Sequence, residues 1–195
     1  QRANAGSNPL ALQRKPLTLD AYLAARPIAD PVHLFDCVMP CAGAEAFIVT
    51  TPEIAAERGL AAATIMATIE RHNAFPQDPV QYRGGWAMDI DGFWDAAGIA
   101  PTDVDTLQVY DDYPVIVAMQ LEDLGFCPKG EAAQFIRETS FDIDGDLPLN
   151  TIGGVHRWVG LENDRGLAPD HRAAARRPSA RCRNFDRLRL WPCQL

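Results

Sequence analysis

The chain changes character after Gly154, and that seam limits where a packed core can lie. Residues 1–154 hold 9 Lys/Arg against 22 Asp/Glu, a balance of −13. Residues 155–195 hold 9 Arg and no Lys against 4 acidic residues, a balance of +5. The second stretch contains Ala173-Ala-Ala-Arg-Arg-Pro-Ser-Ala-Arg-Cys-Arg183 and sustains no apolar period of either helix or strand. Two readings fit it: a disordered basic tail suited to an acidic partner, or text produced by a reading-frame change in a GC-rich gene. On both readings it is an aberrant basic tail, and a core is expected only from residues 1–154.

The 195 residues suffice for one ordinary domain or two small ones. An apolar fraction of 47% and a charged fraction of 23% are those of a soluble globular protein. No apolar run reaches 18 residues, so no membrane span is expected. A net charge of −8 argues against nucleic acid, whose phosphates want a basic face. The opening Gln1-Arg-Ala-Asn-Ala-Gly-Ser-Asn-Pro9 has neither an initiating Met nor the apolar core of a secretory signal, and a processed or partial chain is expected. Cys37, Cys41, Cys127, Cys182 and Cys193 are odd in number and form no regular frame, which suits reduced thiols and a cytoplasmic setting.

Along the first 154 residues, turn signals cut the chain into short alternating units. Asn8-Pro9, Lys15-Pro16 and Arg26-Pro27 make residues 1–36 a loop-rich lead-in, interrupted by one short helix capped by Thr18. Ala46 to Thr50 reads as a buried strand. Thr51-Pro52-Glu53 then starts a helix, with a cap, a Pro and an acid in its first turn, and Gly59 stops it. Residues 60–69 favour a strand, and residues 71–86, with two Pro and Gly84-Gly85, a loop. Asp89 to Ala97 suits a helix ending at Gly98. Thr106 to Tyr110 is strand-like, and Asp112 to Leu124 is a buried helix with Asp112 as its expected N-cap. One more helix spans 130–139. Strands alternating with helices predict an α/β fold.

Several stretches, in order, resemble the thiolase superfamily of the sterol-carrier and lipid-transfer type. They are Arg14-Lys-Pro-Leu-Thr-Leu-Asp-Ala-Tyr22, Ile28-Ala-Asp-Pro31, Asp36-Cys37, Cys41-Ala-Gly-Ala-Glu-Ala-Phe-Ile-Val49, Ala97 to Asp105, Gln120 to Gly130 and Leu149-Asn-Thr-Ile-Gly-Gly154. The family fold is two similar βαβαβαββ halves packed through helices, usually as a dimer. The resemblance implies an incomplete thiolase-like fold, a mixed sheet with helices packed on it. Residues 1–50 would end the amino-terminal half, residues 51–154 would form the carboxyl-terminal half, and residues 155–195 would be the aberrant tail. The family's nucleophilic Cys would lie upstream of Gln1, so Cys37 and Cys41 are expected to be inert packing thiols.

Where true thiolases carry Asn-Glu-Ala-Phe and sterol-carrier thiolases put His first, this chain has Tyr110-Asp111-Asp112-Tyr113. Asn there positions a water for the thioester oxyanion through a neutral dipole. A phenol can donate a hydrogen bond or, with a pKa lowered from about 10, accept a proton. That suits retro-aldol cleavage of a β-hydroxyacyl-CoA, and the motif is similar to that of bacterial aldolases that shorten steroid side chains. The resemblance implies Tyr110 in acid/base chemistry, Asp111 orienting its loop, and Tyr113, Asn150, Gly153 and Gly154 facing the substrate. It also implies a coenzyme A thioester as substrate with no bound cofactor, and a partner protein bearing a small zinc-carrying, OB-like domain. An acyltransferase of the same fold and a non-catalytic remnant are the alternatives. His156 falls too early for the family's catalytic histidine. Asp142-Ile-Asp-Gly-Asp146 is too compressed for a calcium loop, and His33, His72 and His171 have no partners at metal spacing, so no metal site is expected.

Overall fold

A computed structural model describes residues 2–8, 11, 13–38 and 46–151. The expectations for Cys41, Gly153, Gly154 and residues 155–195 lie outside the described residues. Six α-helices, three short 3-10 turns and one small hairpin are defined among those described; the α-helices and strands are α1 (Arg2–Ser7), α2 (Leu19–Leu23), β1 (Pro27–Ala29), β2 (Val32–His33), α3 (Pro52–Glu57), α4 (Ile90–Ala97), α5 (Pro114–Asp123) and α6 (Ala132–Glu138).

Local chemistry accounts for the helix ends. The Thr18 hydroxyl accepts from Ala21 N at 3.2 Å and opens α2, and the Thr51 hydroxyl accepts from Ile54 N at 3.4 Å and opens α3. Helix α4 stops at Gly98, whose φ of +70° is the left-handed turn that glycine adopts without strain. At the start of α5 the structure corrects the expected cap. Tyr113, not Asp112, is the N-cap, and no side chain caps it. Pro114 at the first helical position has no N–H to satisfy, which lowers the need for one.

The core lies between α4, α5, α6 and the segments around Leu107 and Leu149, with Trp94, Leu107, Leu121 and Leu149 buried in it. Trp94 Nε1 donates to Leu124 O at 3.0 Å, so the indole is buried with its polar atom satisfied. The lead-in joins this core. In α1, a helix that the loop-rich reading missed, buried Asn4 donates to Phe141 O at 3.2 Å and Leu149 O at 2.9 Å. The β1–β2 hairpin, antiparallel around a cis Asp30–Pro31 peptide, is pinned by Asp36, which accepts from Tyr22 Oη and His33 N.

The expected strands fare differently. Residues 46–50 and 60–69 run without pairing to any strand among the described residues. Their apolar side chains stand in solvent: Phe47 is 79% and Ile48 87% exposed. The stretch 106–110 contributes one parallel bridge, Leu107 to Leu149, closed by Leu107 N to Pro148 O at 2.9 Å and Asn150 N to Leu107 O at 3.0 Å. The α/β expectation is therefore met on its helical side, with a two-stranded antiparallel sheet in place of a mixed one among the described residues. A strand's backbone groups and apolar face are satisfied by neighbours, so alternation in sequence does not by itself make a sheet. Among the described residues no helix is long and apolar enough to cross a membrane.

Candidate functional site

The short parallel bridge delivers the chain to Tyr110, and α5 begins four residues later at Pro114. The phenol of Tyr110 is 42% exposed, and Tyr113 beside it is also exposed, while Asp111 between them is buried. Burial raises the Tyr110 pKa above its ordinary 10.0, and the charge of Asp112, a hydrogen bond to Asp112 and the charges of Asp111 and Tyr113 raise it further. The phenol therefore rests protonated at neutral pH. It is a proton donor in the ground state, whereas an unassisted general base needs a lowered pKa. Asp112, one residue before the N-cap, lies close enough for its charge to bear on the phenol.

Asn150 lies buried at a φ of +43°, a left-handed conformation in which Asn is several-fold enriched. Its carboxamide is fully engaged by the backbone of Val109: Oδ1 accepts from Val109 N at 2.9 Å and Nδ2 donates to Val109 O at 3.1 Å. Tyr110, Asp111, Tyr113 and Asn150 are thus brought to one end of the 107–113 segment. Gln120 completes the arrangement and was missed as a site residue. It reads as an ordinary polar position on a helix, ten residues from Tyr110, and only burial beside that backbone reveals it. Its Oε1 accepts from Tyr110 N at 3.2 Å, and its Nε2 donates to Tyr110 O at 2.5 Å and to Ile116 O at 3.1 Å.

A shallow groove of about 200 Å³ runs along α5, lined by Val115, Ile116, Met119 and, from the 71–86 loop, Gln81. That loop is held down. Buried Asp123 accepts from Gly84 N at 2.7 Å and from Lys129 Nζ at 2.7 Å, and Arg83 makes paired bonds of 2.9 and 3.0 Å to Asp78 while lying 3.6 Å over the Phe75 ring. A Cβ on Gly84 would sit 2.2 Å from the Trp86 ring, so close approach requires the glycine. Residues 142–146 form a turn: Gly145 N donates to the backbone carbonyl of Asp142 at 2.8 Å, and the Asp146 carboxylate accepts from Ser140 N at 3.0 Å. No cluster of three metal-ligating side chains occurs among the described residues. Cys127 is buried in the core, its thiol pKa pushed up chiefly by burial, and Cys37 is half-buried with Sγ 3.6 Å from His33 O.

Residues 92–160 match the thiolase C-terminal domain-like family, a match that spans the whole Tyr110–Asn150 arrangement and crosses the seam at Gly154. The chain is 34% identical over 178 residues to a 17-hydroxy-3-oxo-4-pregnene-20-carboxyl-CoA lyase of Mycobacterium tuberculosis, covering 86% of this chain and 45% of the lyase. It is 32% identical over 175 residues to a steroid side-chain-cleaving aldolase of Thermomonospora curvata, again over 86% of this chain and 45% of the relative. Sterol carrier protein 2 of Gallus gallus is 27% identical over 158 residues, 76% of this chain and 29% of that protein. Among solved structures, an Ltp2–ChsH2(DUF35) aldolase superposes with a TM-score of 0.63 at 30% identity, over 78% of this chain and 42% of that one. The chain spans less than half the length of these relatives. Residues 92–160 thus carry the likeness to the thiolase C-terminal domain, and the chain as a whole is similar to steroid side-chain-cleaving aldolases and to sterol carrier protein 2.

Proposed function

We propose that this chain is part of a thiolase-like acyl-CoA lyase that cleaves a carbon–carbon bond of a bulky, steroid-type β-hydroxyacyl-CoA by retro-aldol reaction. The observation that carries the reading is the Tyr110 phenol, half exposed and kept protonated by burial and by Asp112, where acyl-transferring relatives of the fold carry Asn. In the cleavage, the β-hydroxyl proton passes to the Asp112 carboxylate as the Cα–Cβ bond breaks. The hydroxyl-bearing fragment leaves as a ketone, and the bonding pair stays on Cα as a thioester enolate. Tyr110 gives its proton to that carbon, and Asp112 returns the captured proton to the phenolate. Protons and electrons balance with no external oxidant, and the phenol supplies the donor that the enolate needs.

The remaining roles follow from position. Buried Asp111 fixes the 110–113 turn, Tyr113 offers an exposed ring beside the groove on α5, and Asn150 leads into Gly153-Gly154, whose bare backbone admits the thioester. We extend the proposal to the setting. The substrate is a coenzyme A thioester, no cofactor is bound, and the protein is cytoplasmic. The mixed sheet forms when residues 46–50 and 60–69 pair with the rest of a longer protein, which is a homodimer. A zinc-bearing, OB-like protein is its partner; the solved relative, an Ltp2–ChsH2(DUF35) aldolase, is named for two components, which supports a two-protein assembly.

The test is the full-length protein with its partner, given a steroid β-hydroxyacyl-CoA and assayed for ketone and shortened acyl-CoA. Cleavage that falls about 100-fold or more in Tyr110→Phe is the expected result, the size of a lost acid–base group. The resemblance to an acetyl-CoA acetyltransferase of Methanothermobacter thermautotrophicus, 29% identical over 158 residues, gives the rival outcome. Acyl transfer to free coenzyme A, with no aldol cleavage and an indifferent Tyr110→Phe, sinks the lyase reading.

A further inference from the structure

We infer that Gln120 and Asn150 are positioning residues that together replace a neighbouring strand and hold Tyr110 in place, an inference that rests on the lyase reading of Tyr110. The paired part of the 106–110 segment ends at Leu107, where the single parallel bridge closes. Beyond it the backbone of Val109 and Tyr110 would need other partners for its N–H and C=O groups, because buried backbone groups rarely go unpaired. Two buried carboxamides supply them. Asn150, 2% exposed, engages both backbone groups of Val109, and Gln120, 1% exposed, engages both backbone groups of Tyr110.

A carboxamide carries a donor and an acceptor side by side, so one side chain can satisfy one residue's N–H and C=O together. Successive residues of an extended chain present these groups to opposite sides, which is why two side chains from two different elements are needed. Gln120 adds a third bond, to Ile116 O in the first turn of α5, so the helix that starts at Pro114 is tied to Tyr110. Asn150 holds its side of the clamp from a left-handed backbone conformation. The result is a reactive phenol on a short loop whose main chain is as fixed as that of a strand. Misplacement of about 1 Å can cost about 100-fold in rate, so such a clamp has a catalytic consequence beyond stability.

The experiment uses the full-length protein with its partner and two variants. Gln120→Met keeps length and volume but removes every polar contact; Gln120→Glu is the second, keeping an acceptor for Tyr110 N and losing the donor to Tyr110 O and Ile116 O. Hydrogen exchange at the Tyr110 amide should quicken about 100-fold in Gln120→Met and less in Gln120→Glu. The kcat for aldol cleavage should fall about 30-fold with KM nearly unchanged, in the manner of an interaction felt at the transition state. In a Tyr110→Phe background, Gln120→Met should cost little further, because its effect on rate passes through Tyr110. Equal losses of kcat in the two backgrounds, or an unchanged Tyr110 amide, overturn the inference. If the wild-type protein cleaves no β-hydroxyacyl-CoA, the lyase reading fails on its own account, and the exchange measurement still decides whether the clamp exists.

Discussion

Residues 90–151 are less apolar in sequence than residues 46–70, yet it is the first stretch that buries its apolar side chains. In the first region, Leu107 and Leu121 are fully buried, Trp94 finds a carbonyl for its indole, and buried Asn150 and Gln120 have every polar atom engaged. In the second, Phe47, Ile48, Val49, Leu60 and Ile65 all face solvent around one short helix, α3. Helices satisfy their own backbone and need only one face covered, so α4, α5 and α6 can pack on each other. Strands borrow both their hydrogen bonds and their packing from neighbours. The difference shows that strand propensity is a promise that a second segment must keep.

The largest expected effect is in the packed region. Leu121→Ala removes a fully buried side chain between α5 and the Leu107–Leu149 pair, and should destabilise by about 3 kcal/mol. Chemical denaturation of the 195-residue chain reads this directly. A loss below about 1 kcal/mol would mean that this region is no better packed than residues 46–70, and the contrast would collapse. Next comes Asp123→Ala, which strips the acceptor from the buried Gly84 N–H and one of two carboxylate partners from Lys129. About 2 kcal/mol is expected from the unsatisfied amide, with Asp123→Asn costing less because it keeps an acceptor.

Much of the packed region is readable from residues alone, because its signals are local. Thr18, Thr51, Pro52, Pro114 and Gly98 stand where helix ends need them, and the structure uses each in that way. Asp112 does not cap: the helix starts one residue later than the local signal suggests, with Tyr113 as N-cap, and the Asp112 charge raises the Tyr110 pKa instead. Helix α1 was hidden because it rests on Asn4 reaching Phe141 and Leu149, partners that no local window contains. Gln120 was hidden for a different reason: a polar helix position ten residues from Tyr110 carries no signal until its burial beside that backbone is seen. At the site, Tyr110 was visible through its motif, while the direction of its pKa was not: burial and three neighbouring groups push it up, against the lowered value that a free-standing base would need.

That direction makes a smaller, sharper prediction. A phenol whose folded pKa is raised contributes stability that is fully present below its unfolded value near 10 and is lost as pH climbs through the folded value. Tyr110 should therefore titrate above 10 by its phenolate absorbance, assigned by difference against Tyr110→Phe. Asp112→Asn should move that titration down, by removing a charge and weakening a hydrogen bond, but not fully to 10, because burial is the first cause and remains. A Tyr110 that ionises below 10 would make it a ground-state base and reverse its assigned role.

The smallest effect belongs to the unpaired region and tests the other half of the comparison. Phe47 and Ile48 contribute almost no burial, so Phe47→Ser or Ile48→Thr should change the stability of the 195-residue chain by no more than about 0.5 kcal/mol. The same substitutions should act strongly on association, because a run of exposed apolar residues with open backbone groups invites another chain to pair with it. Light scattering across a concentration series should show self-association in the unaltered chain and its reduction in Phe47→Ser. Replacing both Phe47 and Ile48 should reduce it more than either change alone. A stability loss comparable to that of Leu121→Ala would mean that residues 46–50 pack against something in the chain itself. An unchanged scattering curve would mean that their exposed face is not where chains meet. Stability and association separate here because burial within the chain governs one and the unsatisfied surface governs the other.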